Sequence, residues 1–223
     1  MGVLILGIDE AGRGPVIGPM VLAGCLITEE TQTELKKLGI KDSKELTQKR
    51  REYLSEKIKE IAETFEIVLS PPIEIDNSIN DGTNLNLLEA KKIAEIINKI
   101  NKGYGKIKVI IDCPSVTIGK WTDHLKTHIE TLSNLEIVCE HKADKNHVSV
   151  SAASILAKCV REKEMDKLKE KYGIEMGSGY TSDPSTIRFL ELNVEKHNDS
   201  GIFRKSWETW RKESEKIIQR RLF

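Results

Sequence analysis

Aromatic side chains make up only 5% of the 223 residues, cysteines number four, and 35 basic residues balance 35 acidic ones. Cys25, Cys113, Cys139 and Cys159 are scattered with no Cys-x-x-Cys pair, which argues for buried free thiols in a reducing compartment rather than a zinc or disulfide framework. A formal charge of zero argues against a general polyanion binder, though not against a local basic face. It also gives no sign of oligomerisation, so a monomer is expected. No apolar run approaches the length of a membrane span and no basic-then-apolar leader opens the chain; no membrane association and a cytoplasmic location are expected. Internal repeats and low-complexity segments are missing too. What is present, 39% hydrophobic and 31% charged residues, suits one good core with a small helical appendage.

The pattern along the chain is a hairpin followed by alternating strands and helices. Val3–Ile8 and Val21–Ile27 read as the hairpin, and Thr31–Leu38 as a charged helix. A longer helix is expected from Asp42-Ser43-Lys44 to about Ala62, capped by Ser43 or Thr47. Phe65–Leu69 reads as a third strand stopped by Pro71-Pro72, and Asp76–Thr83 as polar loop. Leu85, Leu88, Ile93, Ile96, Ile97 and Ile100 mark an amphipathic helix. Ile107–Ile111 and Leu135–Glu140 complete five strands, with a helix from about Lys120 to Leu132 between them and the longest helix from about Lys145 to Tyr172. This order predicts a mixed α/β sheet covered on its faces. After Gly177-Ser178-Gly179 the pattern is helical only, so the expected division is 1–177 and 178–223.

The chemistry concentrates at Gly7-Ile8-Asp9-Glu10-Ala11-Gly12-Arg13-Gly14-Pro15, directly after a buried-strand pattern. Adjacent carboxylates at the end of a core strand are costly unless a positive charge sits beside them. A divalent metal meets that need, and the glycines flanking Arg13 let an anionic backbone approach the peptide N–H groups. A strand edge whose acids simply face water is the plainer reading of this stretch alone. Asp112 closes the fourth strand, and Asp144 lies near the start of the long helix, where the helix dipole favours an acid in any case. Strand-end groups of an α/β sheet converge, so Asp9, Glu10, Asp112 and Asp144 form a set of oxygen ligands suited to Mg²⁺ or Mn²⁺. Two such ions roughly 3.5–4 Å apart suit phosphodiester hydrolysis. The small-residue helix Val148-Ser149-Val150-Ser151-Ala152-Ala153-Ser154-Ile155 can lie close to the sheet and bring Asp144 to the strand ends.

With these motifs in place the sequence resembles ribonuclease HII, the type 2 ribonucleases H, from Gly7 to about Thr186. The resemblance is carried by Asp9–Pro15, Asp42-Ser43-Lys44, Ile111-Asp112, Ala143-Asp144 with the Ser-Ala-Ala-Ser-Ile helix, and Gly177-Ser178-Gly179-Tyr180 with Ser182-Asp183-Pro184. It implies a ribonuclease H-like mixed five-stranded sheet flanked by helices, with a small helical C-terminal region. It further implies an endonuclease that cuts the RNA strand of RNA–DNA hybrids and nicks duplex DNA 5′ of embedded ribonucleotides, leaving 3′-hydroxyl and 5′-phosphate ends. Asp9, Glu10, Asp112 and Asp144 are then the metal-binding catalytic acids. Gly12, Arg13 and Gly14 track the strand and sense the ribose 2′-hydroxyl. Tyr180 packs on the sugar beside the scissile ribonucleotide, and Lys44 contacts phosphate. Thr181 departs from the proline usual after that tyrosine. A nucleotide-binding ATPase is disfavoured because no GxxxxGK[ST] motif occurs, and a non-catalytic hybrid-binding module because the acid quartet is complete.

Other residues have plainer readings. His124 and His128 stand at zinc-pair spacing, but without the HExxH glutamate or a third ligand they read as an exposed helix face. His141 and His147 flank Asp144 and read as surface histidines. Lys142, Lys145, Lys158 and Arg161 could screen phosphate without a motif behind them. In the tail, Phe203, Trp207, Trp210, Ile217 and Ile218 form an apolar stripe, while seven Lys/Arg face three Glu between Phe203 and Phe223, leaving a basic polar side for duplex phosphates. Gln219-Arg220-Arg221-Leu222-Phe223 loosely resembles the start of a sliding-clamp binding peptide.

Overall fold

The structure, a computed structural model, describes residues 3–40 and 46–221, with side chains through Lys216. Asp42-Ser43-Lys44, and with it the phosphate contact expected of Lys44, lies outside the described residues, as do Leu222 and Phe223. Two compact units divide the chain: Met1–Ala11, Val21–Val68 and Asn86–Val160 form one, and Gly12–Met20, Leu69–Leu85 and Arg161–Phe223 the other.

The first unit is built on a five-stranded sheet. Strand β1 (Leu4–Ala11) pairs antiparallel with β2 (Met20–Thr28), from Leu4 opposite Thr28 to Ala11 opposite Val21. On its other side β1 runs parallel to β4 (Ile107–Asp112), which runs parallel to β5 (Leu135–Glu140); β3 (Thr64–Ser70) flanks β2, giving the order β3-β2-β1-β4-β5. Almost every residue of β2 is buried, as a strand covered on both faces requires. One face carries Val21, Ala23, Cys25 and Ile27, packed with Leu35 of α1 (Glu29–Lys37), Leu54 and Ile58 of α2 (Gln48–Ile61), and Ala152, Ala153 and Leu156 of α7 (Val148–Tyr172). The other face meets α4 (Leu85–Ile100) so closely that a Cβ at Gly24 would lie 2.4 Å from Ile96 Cγ2. Helix α5 (Ile118–Lys126) is tied to α4 by Trp121 Nε1, which donates to the Asn86 carbonyl at 2.9 Å.

The second unit packs Val16, Ile17, Met165, Met176, Phe189, Leu190, Ile202 and Phe203 into its own core, with Trp207 and Trp210 against it. It includes α3 (Pro72–Asn80), the C-terminal part of α7, α8 (Pro184–Asn193) and α9 (Glu208–Arg221). Ile17 bridges Phe203 antiparallel. The side chains of Ile217 and Ile218, the end of the expected stripe, lie outside the described residues.

Three sequence expectations change. Of the stretch read as loop over Asp76–Thr83, the part up to Asn80 belongs to α3 and 81–83 stay outside any helix; the helix starts because Pro72 needs no N–H donor in the first turn and Ile75 turns inward with it. The helix over 120–132 is shorter, ending at Lys126. The long helix is broken: α6 (Ala143–Asn146) stops at His147, extended at φ −125° and ψ 121°, before α7 starts. Thr47 is the cap of α2, its side chain accepting from Arg50 N. No helix among the described residues is long and apolar enough to cross a membrane.

Candidate active site

Parallel pairing of Ile8 with Ile111 brings the C-terminal ends of β1 and β4 side by side, and Asp9 and Asp112 follow these two residues. The chain then returns from β5 through Lys142, whose φ of 60° is the one left-handed non-glycine conformation among the described residues. Such a conformation costs about 1–2 kcal/mol. Here it turns the backbone sharply into α6, whose first turn carries Asp144. The Ala143 amide donates to Asp112 Oδ1 at 3.2 Å, so the acid of β4 itself anchors the helix that presents Asp144. Ser151 Oγ donates to the Asp144 carbonyl and, at 3.2 Å, to that of His147, closing the break between the two helices.

As a result Asp9, Asp112 and Asp144 each offer a carboxylate oxygen within 4.8 Å of the others. Asp9 and Asp144 are buried and Asp112 half-buried. Asp9 accepts the Glu10 amide at 2.8 Å and a hydrogen bond from Ser154. Burial, followed by the charges of Glu10 and Asp112, nonetheless holds its carboxyl well above the usual value. Glu10 stands outside the triplet, since successive strand side chains point to opposite faces, but its charge acts on Asp9. The triplet contains no histidine or thiolate, and the charges of Glu10 and Asp112 act against ionised Asp9, which a bound cation would offset. The donor set fits a hard divalent ion bound through oxygen.

The second unit assembles the other expected residues. Gly12 has φ 79° and is buried; a Cβ there would meet Arg161 Nε at 2.1 Å and the Pro19 carbonyl at 2.8 Å. Arg13 is half-buried and Gly14 exposed, and the nearest atom to a Cβ on Gly14 would be Tyr180 Cε1 at 3.9 Å. Tyr180 is exposed, with the Arg161 guanidinium 5.0 Å from its ring centroid. The turn before it is held by Thr186, whose Oγ1 accepts the Gly179 amide at 2.9 Å and donates to the Met176 carbonyl at 3.1 Å. Asp183 accepts the Ser178 and Ser185 amides, at 2.7 and 2.9 Å, and these hold its carboxyl below the ordinary value.

Neither flanking histidine is part of the acid triplet. His147 Nε2 lies 2.8 Å from Glu140 Oε1, and His141 Nδ1 3.0 Å from the Cys113 carbonyl. His124 and His128 bring their Nε2 atoms to 3.4 Å, and both are half-buried. Arg161 is buried and donates to the Ser178 carbonyl at 3.0 Å. Sequence reasoning placed Ser151 and Ser154 in the small-residue helix without their bonds to Asp144 and Asp9, and missed Thr186 and Arg204, ordinary polar residues whose partners only the fold reveals.

The family model for Ribonuclease HII matches residues 6–210. The Ribonuclease HII of Methanocaldococcus jannaschii is 41% identical, covering 98% of this chain and 98% of that protein. The crystal structure of the ribonuclease H2 from Pyrococcus horikoshii OT3 matches with a TM-score of 0.85 at 39% identity, over 96% of this chain and 98% of that one. The structure of the PCNA:RNase HII complex from Archaeoglobus fulgidus matches at 0.81 and 37%, over 92% and 96%. With the five-stranded mixed sheet and the buried acids, these likenesses place the chain in the ribonuclease HII family, ribonuclease H-like endoribonucleases acting on RNA–DNA hybrids.

Proposed function

We propose that Asp9, Glu10, Asp112 and Asp144 hold two Mg²⁺ or Mn²⁺ ions and that the protein hydrolyses the RNA strand of hybrids and nicks duplex DNA 5′ of embedded ribonucleotides. The observation that carries this reading is the convergence of Asp9, Asp112 and Asp144 within 4.8 Å. Bound there, the ions supply activation of a water and stabilisation of the leaving oxygen. The protein contributes the rest. Asp9, fixed by the Glu10 amide and Ser154, and Asp112, fixed to α6 through Ala143, keep their ligand oxygens in place before any ion binds. Glu10 adds charge beside them. The products are 3′-hydroxyl and 5′-phosphate ends.

Gly12, Arg13 and Gly14 are proposed to follow the strand and sense the 2′-hydroxyl, and Tyr180 to pack on the sugar; the proximity of Gly14 to Tyr180 supports a shared surface for one nucleotide. Lys44 is proposed to contact phosphate. The region 178–223 is taken as the substrate-binding addition to a catalytic domain over 1–177, supported by Tyr180 and by the basic tail. Binding of a sliding clamp through Gln219–Phe223 is proposed by analogy with the Archaeoglobus fulgidus complex. The protein is read as a cytoplasmic monomer.

The test is a DNA duplex bearing one ribonucleotide, incubated with Mg²⁺ and then with EDTA. A metal-dependent nick 5′ of the ribonucleotide is expected, lost in Asp9→Asn and Asp112→Asn with duplex binding largely retained. Unchanged cleavage in either variant removes that residue from the mechanism. Clamp capture that survives deletion of residues 219–223 removes the tail peptide.

A further inference from the structure

Arg204 is fully buried, yet no carboxylate among the described residues lies within salt-bridge distance of it. Its partners are backbone carbonyls: Nε donates to Gly18 at 3.0 Å, Nη1 to Arg13 at 2.7 Å and Nη2 to Gly12 at 2.6 Å. Trp207, whose ring centroid is 4.9 Å from the same guanidinium, donates Nε1 to the Gly14 carbonyl at 2.9 Å. The carbonyls of Gly12, Arg13 and Gly14 are therefore all occupied by two neighbouring side chains of one segment.

Peptide geometry turns this into a statement about donors. No peptide bond among the described residues is cis, so each carbonyl and the following N–H point in opposite directions. Fixing the Gly12 and Arg13 carbonyls on Arg204 aims the Arg13 and Gly14 amides away from it. Fixing the Gly14 carbonyl on Trp207 aims no further donor, because the next residue is Pro15, but it holds the rotation about Gly14 and so the far end of the Arg13–Gly14 peptide whose amide Arg204 aims. Gly14 is exposed, and a Cβ on it would lie 3.9 Å from Tyr180 Cε1, so this end of the turn reaches the surface beside Tyr180.

A buried cation bonded only to carbonyls, with the Trp207 ring beside it and the Asp76 charge acting on it without a direct ion pair, is expensive to keep. Burial, with the Arg161 charge beside it, pulls the Arg204 guanidinium down to about 9, still cationic at neutral pH. Arg161 is a second buried guanidinium under the same turn, its Nε without a hydrogen-bond partner among the described residues. Arg161 and Arg204 thus place two buried guanidiniums against the turn, where positive charge suits an approaching polyanion.

We propose that Arg204 and Trp207 are positioning residues that lock the Gly12-Arg13-Gly14 turn so that its amides face the ribose–phosphate strand, and so set the preference for a ribonucleotide over a deoxyribonucleotide. The inference rests on the nuclease reading above. The test uses the full-length chain with Trp207→Phe, which keeps an aromatic ring and loses the Gly14 bond, and Arg204→Lys, which keeps the charge and loses the fork. Melting temperature, cleavage of the single-ribonucleotide duplex, and affinity in EDTA for that duplex against an all-DNA duplex of the same sequence are measured. In Trp207→Phe we expect an unchanged melting temperature, KM raised about fivefold to tenfold, the loss of one hydrogen bond, and the affinity ratio lowered by a similar factor. Arg204→Lys lowers the ratio further; should it not fold, Trp207→Phe decides alone. Folded variants that keep the wild-type ratio overturn the clamp, as does activity that falls only in step with the folded fraction. A wild-type protein that leaves the ribonucleotide duplex intact overturns the nuclease reading itself, and the clamp with it.

Discussion

Gly7 and Ser149 touch backbone to backbone: a Cβ on Gly7 would lie 2.1 Å from the Ser149 carbonyl carbon and 2.3 Å from its oxygen. The first turn of α7 thus rests directly on β1, two residues before Asp9. No side chain intervenes, and neither backbone can yield without moving the sheet or the helix that follows Asp144.

Gly7→Ala is therefore expected to destabilise the protein by about 3 kcal/mol or more, at the upper end for overpacked cores. In a chain of this size that is a fall in melting temperature of ~6–12 °C. Cleavage should fall further than the folded fraction, because α7 carries Ser151 and Ser154, which bond Asp144 and Asp9. A variant with wild-type melting temperature shows that the helix can lift off β1 without cost.

The same contact shows how much of the molecule was legible in the sequence. The run of small residues from Ser149 to Ser154 announced a close helix–sheet approach, and the apolar runs ending in Asp9 and Asp112 announced strands with acids at their ends. Both signals are local, so they survive without tertiary context. The helix at Pro72 was hidden because Pro71-Pro72 reads as a stop, and only the inward turn of Ile75 makes it a start. The break at His147 was hidden because Lys145 to Tyr172 has helical composition throughout. It is imposed from outside, by the left-handed Lys142, the Asp112 bond to Ala143 and the Ser151 hydroxyl. Arg204 was hidden for a related reason: in a basic tail a buried arginine looks like any surface one.

Asp76 is the second place where the tail is fastened. Its carboxylate accepts the Lys205 amide at 2.8 Å, the Ser206 amide at 2.9 Å and the Ser206 hydroxyl at 2.5 Å. Asp76→Ala leaves these donors without the buried acceptor and should cost about 3 kcal/mol, in line with hydrogen bonds to a charged group. Limited proteolysis should then cut within 199–216 before the rest of the chain is attacked. Equal protection of that segment in variant and wild type contradicts the anchor.

Thr186 holds the turn that carries Tyr180. Replacing it by valine keeps its volume but leaves the buried Gly179 amide and Met176 carbonyl without that partner. A loss of about 2 kcal/mol or more follows, or ~4–8 °C in melting temperature, while Thr186→Ser should recover most of it. Because Gly179 immediately precedes Tyr180, the KM for a ribonucleotide duplex should rise in the valine variant and return in the serine variant. A serine variant as impaired as valine assigns the effect to packing of the methyl group instead.

Asp9 links the acid cluster to stability. Its folded-state value is raised, first by burial and then by Glu10 and Asp112. Above the ordinary value of 3.8 the unfolded chain has lost the proton that folded Asp9 still holds, so in metal-free protein stability falls as pH rises until Asp9 itself ionises. Asp9→Asn removes this penalty. In EDTA at neutral pH it should melt above wild type, and the difference should shrink as pH falls toward the ordinary value of 3.8. Adding Mg²⁺ reverses the order, because a ligand at a hundredfold excess over its Kd stabilises the wild type by about 2.7 kcal/mol and finds a poorer site in the variant. Calorimetry across pH, with and without metal, reads all three differences. A variant that melts below wild type in EDTA shows that Asp9 pays its way through hydrogen bonds to Glu10 and Ser154, and that the acids are at ease together before any ion arrives.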